Sequence, residues 1–251
     1  MRQVLLVLIG IFALTIPALA ATVGCPVNFP EEGGLLAGIE INEFSDYGFS
    51  NKEQFGPASL NSASSQYIAK LQYGINNWVA ATVKLGSADL KLSDPNRDTE
   101  YNFSKGTTWG AGAKIVLYEK AERAMRLCAS SEYLTGHPGD AVNDGEEYSA
   151  KWNEWDNALF MVFSSQNVEF DESCTGSSFY LGAKYARTTI DWTGPEDPDD
   201  SKKEWHVELR ADDDIIFFAG FDVVLDTASI ISAEARIGNI DSYTVAFSYR
   251  F

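Results

Sequence analysis

The chain has 251 residues, enough for one large β-barrel or for one or two ordinary domains. Apolar residues make up 45% and charged residues 22%, which excludes a disordered chain. A formal net charge of −17 leaves no basic face for nucleic acid, and two histidines with three cysteines leave the usual zinc and His-based catalytic sets mostly unfilled.

The first element is a targeting segment. Arg2 is the only charge before the apolar stretch Val4 to Leu14, and Pro17 and Ala18-Leu19-Ala20 follow. A positive start, a short apolar centre and a small-x-small end are the layout of a secretory signal, with cleavage expected before Ala21. The stretch falls short of the ~20 residues of a spanning helix. Thr22 stands where lipoprotein signals have Leu, so Gly24-Cys25 is not read as a lipid anchor. Residues 1–20 are therefore the signal peptide, 21–34 a periplasmic N-terminal segment and 35–251 one β-domain. No later apolar run approaches a membrane helix. The exported chain is either soluble or crosses a membrane as a closed barrel, the other form that satisfies its backbone in lipid.

From residue 35 onward the dominant period is two, the signature of strands. Leu35, Ala37, Ile39 and Ile41 alternate with Gly38, Glu40 and Asn42. Tyr67, Ala69, Leu71, Tyr73 and Ile75 alternate with Lys70 and Gln72, and Val79, Ala81, Val83 and Leu85 with Thr82 and Lys84. After Gly86 the apolar set moves to Ala88, Leu90 and Leu92, which predicts a bulge near Gly86-Ser87. Trp109 to Leu117, Met125 to Ala129, Phe179 to Tyr185, Ile215 to Leu225 and Ile231 to Ile237 continue the alternation. Tyr148 to Ser164 is a strand whose facing stays ambiguous, because Trp155, Leu159, Met161 and Phe163 compete with Ala158, Phe160 and Val162. The last strand is the clearest: Tyr243, Val245, Phe247, Tyr249 and Phe251 alternate with Thr244, Ala246, Ser248 and Arg250.

This predicts ten strands, at about 35–44, 66–76, 78–92, 107–118, 123–133, 147–164, 178–191, 213–225, 229–238 and 242–251, with eight or twelve as neighbouring counts. Bacterial barrels alternate short periplasmic turns with longer outer loops. Asn76-Asn77, Glu119 to Glu122 and Asp226 to Ala228 are short, whereas residues 45–65, 93–106, 134–146 and 192–212 are long. Two connections break the rule: 165–177 is long on the periplasmic side, and Gly238 to Asp241 is short on the outer side. The fold expected is an all-β, closed, antiparallel up-and-down transmembrane barrel with both termini in the periplasm. A secreted ligand-binding β-sandwich is the alternative.

The ending Tyr-Thr-Val-Ala-Phe-Ser-Tyr-Arg-Phe resembles the terminal signature of bacterial outer-membrane barrels. The segments Gln72 to Trp78 and Gly110 to Lys114 resemble strand-and-turn segments of small, porin-like members. The resemblance implies outer-membrane lipid as surroundings. It also implies a final strand, made of Tyr243, Val245, Phe247, Tyr249 and Phe251, that is read by the barrel-assembly machinery. It does not choose an activity.

Opposite the lipid face stand Glu40, Lys70, Lys84, Lys114, Arg126, Lys184, Asp222, Glu234, Arg236 and Arg250, with basic residues in excess. A ten-stranded barrel is little wider than the eight-stranded kind that side chains fill. The reading is thus a polar, filled lumen in a structural or surface-interaction protein. A narrow passive channel for small solutes or anions is the alternative. Glu196-Asp197, Asp199-Asp200 and Asp212-Asp213-Asp214 could hold divalent cations such as Ca²⁺ at an outer loop, although no spacing matches the calcium loop. No cofactor motif is present. Gly-x-Ser-x-Gly, phosphate-cradling and His-Glu-x-x-His signatures are absent, and His137 near Asp140 or His206 near Asp212 matches no motif of the ten-stranded outer-membrane proteases, so the expectation is no enzyme. Cys25 and Cys174, both placed toward the oxidising periplasm, are the expected disulfide, with Cys128 as competing partner or all three as inert thiols. Tyr67, Tyr73, Trp78, Trp109, Tyr118, Trp152, Trp155, Tyr185, Trp192, Tyr243 and Tyr249 are the candidates for interfacial belts. Oligomeric state leaves no mark in the sequence.

Overall fold

The computed structural model describes residues 29–51, 59–94, 99–120, 124–143, 145–164, 176–196, 204–211, 215–225, 228–237 and 241–251. Among them the strands are β1 (Leu35–Asn51), β2 (Ser59–Asn76), β3 (Val79–Asp94), β4 (Thr99–Lys120), β5 (Met125–His137), β6 (Ala141–Asn143), β7 (Glu146–Ser164), β8 (Ser177–Glu196), β9 (Glu204–Ala211), β10 (Ile215–Val224), β11 (Ser229–Ile237) and β12 (Asp241–Arg250). Neighbours pair antiparallel, and β12 returns to β1 from Leu36↔Arg250 to Ser45↔Asp241, which closes the barrel.

The barrel changes width along its axis. Low down its staves are β1, β2, β3, β4, β5, β7, β8, β10, β11 and β12, the ten expected. β8 holds two partners in succession, β10 along Ser177–Tyr185 and β9 along Thr189–Glu196, so β9 and β10 are two lengths of one stave. β11 and β12 stop after 9 and 10 residues. Above them Phe49–Asn51 of β1 pairs directly with Leu209–Ala211 of β9. The upper barrel therefore closes with two staves fewer, and β6 pairs with β7 above the end of β5.

The lower outer wall is a lipid surface. Ile39, Ile41, Leu71, Val83, Leu85, Ile115, Leu117, Leu159, Leu181, Phe217, Val245 and Phe247 all point outward and are exposed. Rings bound this band at both edges. Tyr67, Trp109, Trp155, Tyr185 and Tyr243 lie at the outer edge, and Trp109, Tyr133 and Trp155 form a row with centroids 6.0 Å apart. Tyr73, Trp78, Tyr118, Phe163, Phe179 and Tyr249 lie at the inner edge. Trp155 and Phe163 are eight residues apart on β7, which spans about 20 Å of membrane normal in a tilted strand. A closed barrel carrying such a band is a transmembrane β-barrel. In a sandwich these apolar faces would be buried against one another.

Above the outer ring edge the polarity inverts. On β3 the alternation of inward and outward residues is unbroken from Ala80 to Asp94. Outward Leu85 is 65% exposed and inward Leu90 is 2% exposed, although both are leucines. The bulge expected near Gly86-Ser87 is thus not what moves the apolar set. The even-numbered residues stay inside throughout, and only the medium outside changes from lipid to water. A register shift does occur in the β3–β4 pairing, between Ala88 and Leu90.

The same inversion corrects the loops. Within 45–65, 93–106, 134–146 and 192–212 the described residues are largely strand, continuing β1, β2, β3, β4, β5, β7, β8 and β9 beyond the membrane. Their outward residues, apart from exposed Val142, are mostly small or polar, which made them resemble loops. Their inward residues build an apolar plug of Phe49, Leu60, Leu92, Phe103, Trp152 and Trp192 with their neighbours. Trp152 and Trp192 are therefore core residues of this plug and not belt residues. Tyr101 packs edge-on against Trp192 at 4.8 Å and against Tyr148 at 4.9 Å. Gly136 leaves room for the Trp152 indole, since a Cβ there would lie 2.0 Å from Nε1.

Replacing Leu159→Arg in mid-band is expected to destabilise the barrel by about 2–4 kcal/mol, whereas Ser149→Arg, outward on the water-bathed part of β7, should change it by less than about 0.5 kcal/mol. Urea titration of the protein folded in liposomes measures both.

Candidate functional site

The lumen is filled in three layers. The lowest is apolar and lies at the mouth that the N-terminal segment enters. Phe29 of the N-terminal segment enters it and joins Ala80, Val116, Cys128, Phe160, Val162, Tyr180 and Phe218. The segment is bonded to β2, with Gly33 N–H donating to the Gly74 carbonyl at 2.8 Å and Gly74 N–H to the Gly34 carbonyl at 3.0 Å. Only glycine fits at 74, where a Cβ would lie 2.1 Å from the Glu31 carbonyl oxygen. Cys128 carries a free, buried thiol. Cys25 and Cys174, and with them the expected disulfide, lie outside the described residues, as do residues 1–28 and the expected cleavage site.

The middle layer is charged. Period-two alternation on polar-in strands delivers Glu40, Lys70, Lys84, Lys114, Lys184, Asp222, Glu234 and Arg236 to the interior, where all are buried. Glu40 bridges two strands by pairing with Lys70 of β2 and, at 3.1 Å, with Lys84 of β3. Lys84 also pairs with Glu132 of β5. A second group lies on the β7–β8–β11 side. Lys184 pairs with Asp156 and, at 3.4 Å, with Glu154. Arg236 reaches Glu154 at 3.9 Å, Asp156 at 4.0 Å and Glu234 at 3.3 Å, and the Tyr180 hydroxyl donates to Glu234 at 3.2 Å. Neutral donors fill between them. Asn42 donates to Gln66 at 3.3 Å, Gln72 to Thr82 at 3.1 Å and Ser178 to Asp222 at 3.0 Å.

Glu132, Glu154 and Asp156 were missed by the sequence reading, and they change its electrostatics. With them six acids (Glu40, Glu132, Glu154, Asp156, Asp222 and Glu234) face five bases (Lys70, Lys84, Lys114, Lys184 and Arg236) in this layer, so the basic excess disappears. Arg126 stands apart from this layer: it pairs with Glu119 at 2.9 Å at the rim, each side chain about a third exposed (36% and 34%). Arg250 is half-buried at the end of β12. Between the charged layer and the upper plug lies a void of about 20 Å³, room for one water, touching Glu154, Arg236, Trp152 and Ile190.

The C-terminal residues Tyr243, Val245, Phe247, Tyr249 and Phe251 are all exposed on the outer wall. The side chains of Glu196 and His206, and residues 197–203 and 212–214 with their acidic clusters, lie outside what is described. Among the described residues, no cluster of three or more His, Cys, Asp or Glu is arranged to hold a metal ion.

Taking one partner from the buried pairs tests the charged layer. Glu40→Ala leaves Lys70 and Lys84 without their shared counter-charge and is expected to cost about 3–5 kcal/mol. The compensated pair Glu40→Leu with Lys70→Met should recover more than half of that loss. Equilibrium unfolding of the single and double variants measures it, and equal loss in both would contradict the pairing.

No protein-family model and no curated protein matches this chain. Among solved structures it is similar to the translocator domain of the autotransporter NalP from Neisseria meningitidis, at 11% identity and a TM-score of 0.45 over 90% of this chain and 91% of that one. It is similar to the outer membrane protease OmpT from Escherichia coli, at 10% identity and a TM-score of 0.46 over 87% and 97%. It is also similar to the outer membrane protein AlkL in lipid bilayers, at 12% identity and a TM-score of 0.43 over 95% and 97%. At these identities the likeness is one of fold alone.

Proposed function

We propose that the protein is a non-conducting, non-enzymatic outer-membrane barrel whose narrow upper half stands outside the cell as a rigid surface structure. One observation carries this reading: along the described strands the lumen is occupied by an apolar plug, an ion-paired layer and a second apolar layer capped by Phe29. A solute would have to displace all three. The rival narrow anion passage loses its support once Glu132, Glu154 and Asp156 are counted inside, because a lumen without an excess of positive charge does not favour anions. Assembly is proposed to depend on the final strand, where exposed Phe251 and Tyr249 end the lipid-facing row that the barrel-assembly machinery would read.

Purified, folded protein in planar bilayers is expected to give no unitary current steps at either polarity, and liposomes carrying it should not swell in small sugars. Reproducible unitary steps of one size would overturn the reading.

A further inference from the structure

The wall of the barrel is interrupted at one height. The β1–β2 register shifts between Phe44 and Tyr47. The β2–β3 pairing passes from Ala63↔Lys91 to Gln66↔Ala88 without pairing the residues between, and the β3–β4 register shifts between Ala88 and Leu90. In the β2–β3 gap side-chain bonds replace the ladder: Ser64 Oγ donates to the Asp89 carbonyl at 2.5 Å, and the Ser65 N–H donates to Asp89 Oδ1 at 2.7 Å.

These three irregularities surround a recess of about 430 Å³, within the ~300–1,000 Å³ usual for small-molecule sites. Its rim carries Glu43, Asp89 and Lys91 from the outer face of the sheet, and its floor carries Phe44, Leu90 and Phe103 from the inner face. A cavity lined from both faces of one sheet passes into the wall. Phe44 and Leu90 also line the 20 Å³ void above Glu154 and Arg236, so those two side chains partition the recess from the lumen.

Place and charge select the occupant. On β2 the recess residue Ser65 lies two positions above Tyr67, a ring of the outer girdle, and Lys105 Nζ lies 4.4 Å over that ring. The mouth therefore opens at headgroup level, continuous with the lipid face below it. Lys91 is already paired with Glu100 at 2.7 Å. That leaves Glu43 and Asp89 to make the rim acidic, which disfavours an anionic head and favours one that donates hydrogen bonds.

We propose that this recess is a binding site, entered from the outer leaflet, for an amphiphile with an alkyl body and a hydrogen-bond-donating head. The body lies against Phe44, the partly buried ring of the floor, with buried Leu90 and Phe103 closing the recess beneath it, and the head meets Glu43 and Asp89. The site is separate from the sealed lumen and stands whether or not the lumen conducts.

Photolabelling tests it. The protein, folded in liposomes, is irradiated with decyl chains carrying a diazirine and ending in an amine, an alcohol or a carboxylate, and the labelled peptides are mapped. Saturable labelling of residues 88–92 and 101–103 is expected with the amine and the alcohol, and about tenfold weaker labelling with the carboxylate. Ala63→Trp and Asn102→Trp, each of which fills the recess from its lining, should abolish the saturable part while the heat-modifiable mobility of the folded barrel is retained. Labelling that rises linearly with probe and spreads over the lipid face would overturn the proposal. So would equal labelling by all three heads, or saturable labelling that persists in both variants.

Discussion

A peptide group in hydrocarbon finds no hydrogen-bond partner outside its own sheet, and this constraint organises the molecule. It forces the ladder to close, and β12 does so by pairing with β1 over ten residue pairs. Closure at lipid level takes ten staves. Once the chain rises into water the constraint lapses, and the wall can afford irregularity. β11 and β12 end, β1 and β9 meet, and the register shifts among β1, β2, β3 and β4 gather just above the girdle.

The interior follows from the same constraint. A barrel of this width encloses a column that must be filled by side chains or by water. Below the girdle most apolar residues are committed to the outside, and between the girdle and the apolar layer around Phe160 and Phe218 the inner positions carry charge and are paired across strands, as Glu40 is with Lys70 and Lys84. Above it the outer positions face water, so apolar residues return to the inside and Trp152, Trp192 and Leu92 pack there as in a soluble barrel. Two opposite polarity rules thus operate along single strands.

Much of this was legible in the letters because alternation is a local property. Tyr243 to Phe251 announces a strand with one greasy face, and ten such runs with short turns announce a barrel. The inversion was not legible as such. Ala88, Leu90 and Leu92 were seen to break the pattern of Val79 to Leu85, but a change of facing and a change of surroundings leave the same trace in a sequence. Only pairing geometry separates them. The missed acids have a similar origin: β7 carries apolar residues on both faces, so Glu154 and Asp156 could not be placed without knowing that Trp155 points to the girdle. Glu132 lay on the inward parity of β5, one residue before the end assigned to that strand.

The central claim is that on β2, β3, β5, β7 and β8 one face stays inside while the medium outside it changes, whereas β1 and β4 reverse their facing at the register shifts above the girdle. Nitroxide labels placed singly along β3 test it most directly, by collision with oxygen, which favours lipid, and with a water-soluble nickel chelate. Outward positions 81, 83 and 85 should be oxygen-accessible, outward positions 87, 91 and 93 nickel-accessible, and inward positions 90 and 92 protected from both. Oxygen-accessible labels at 90 and 92 would mean that the facing itself flips after Gly86, and would contradict the account.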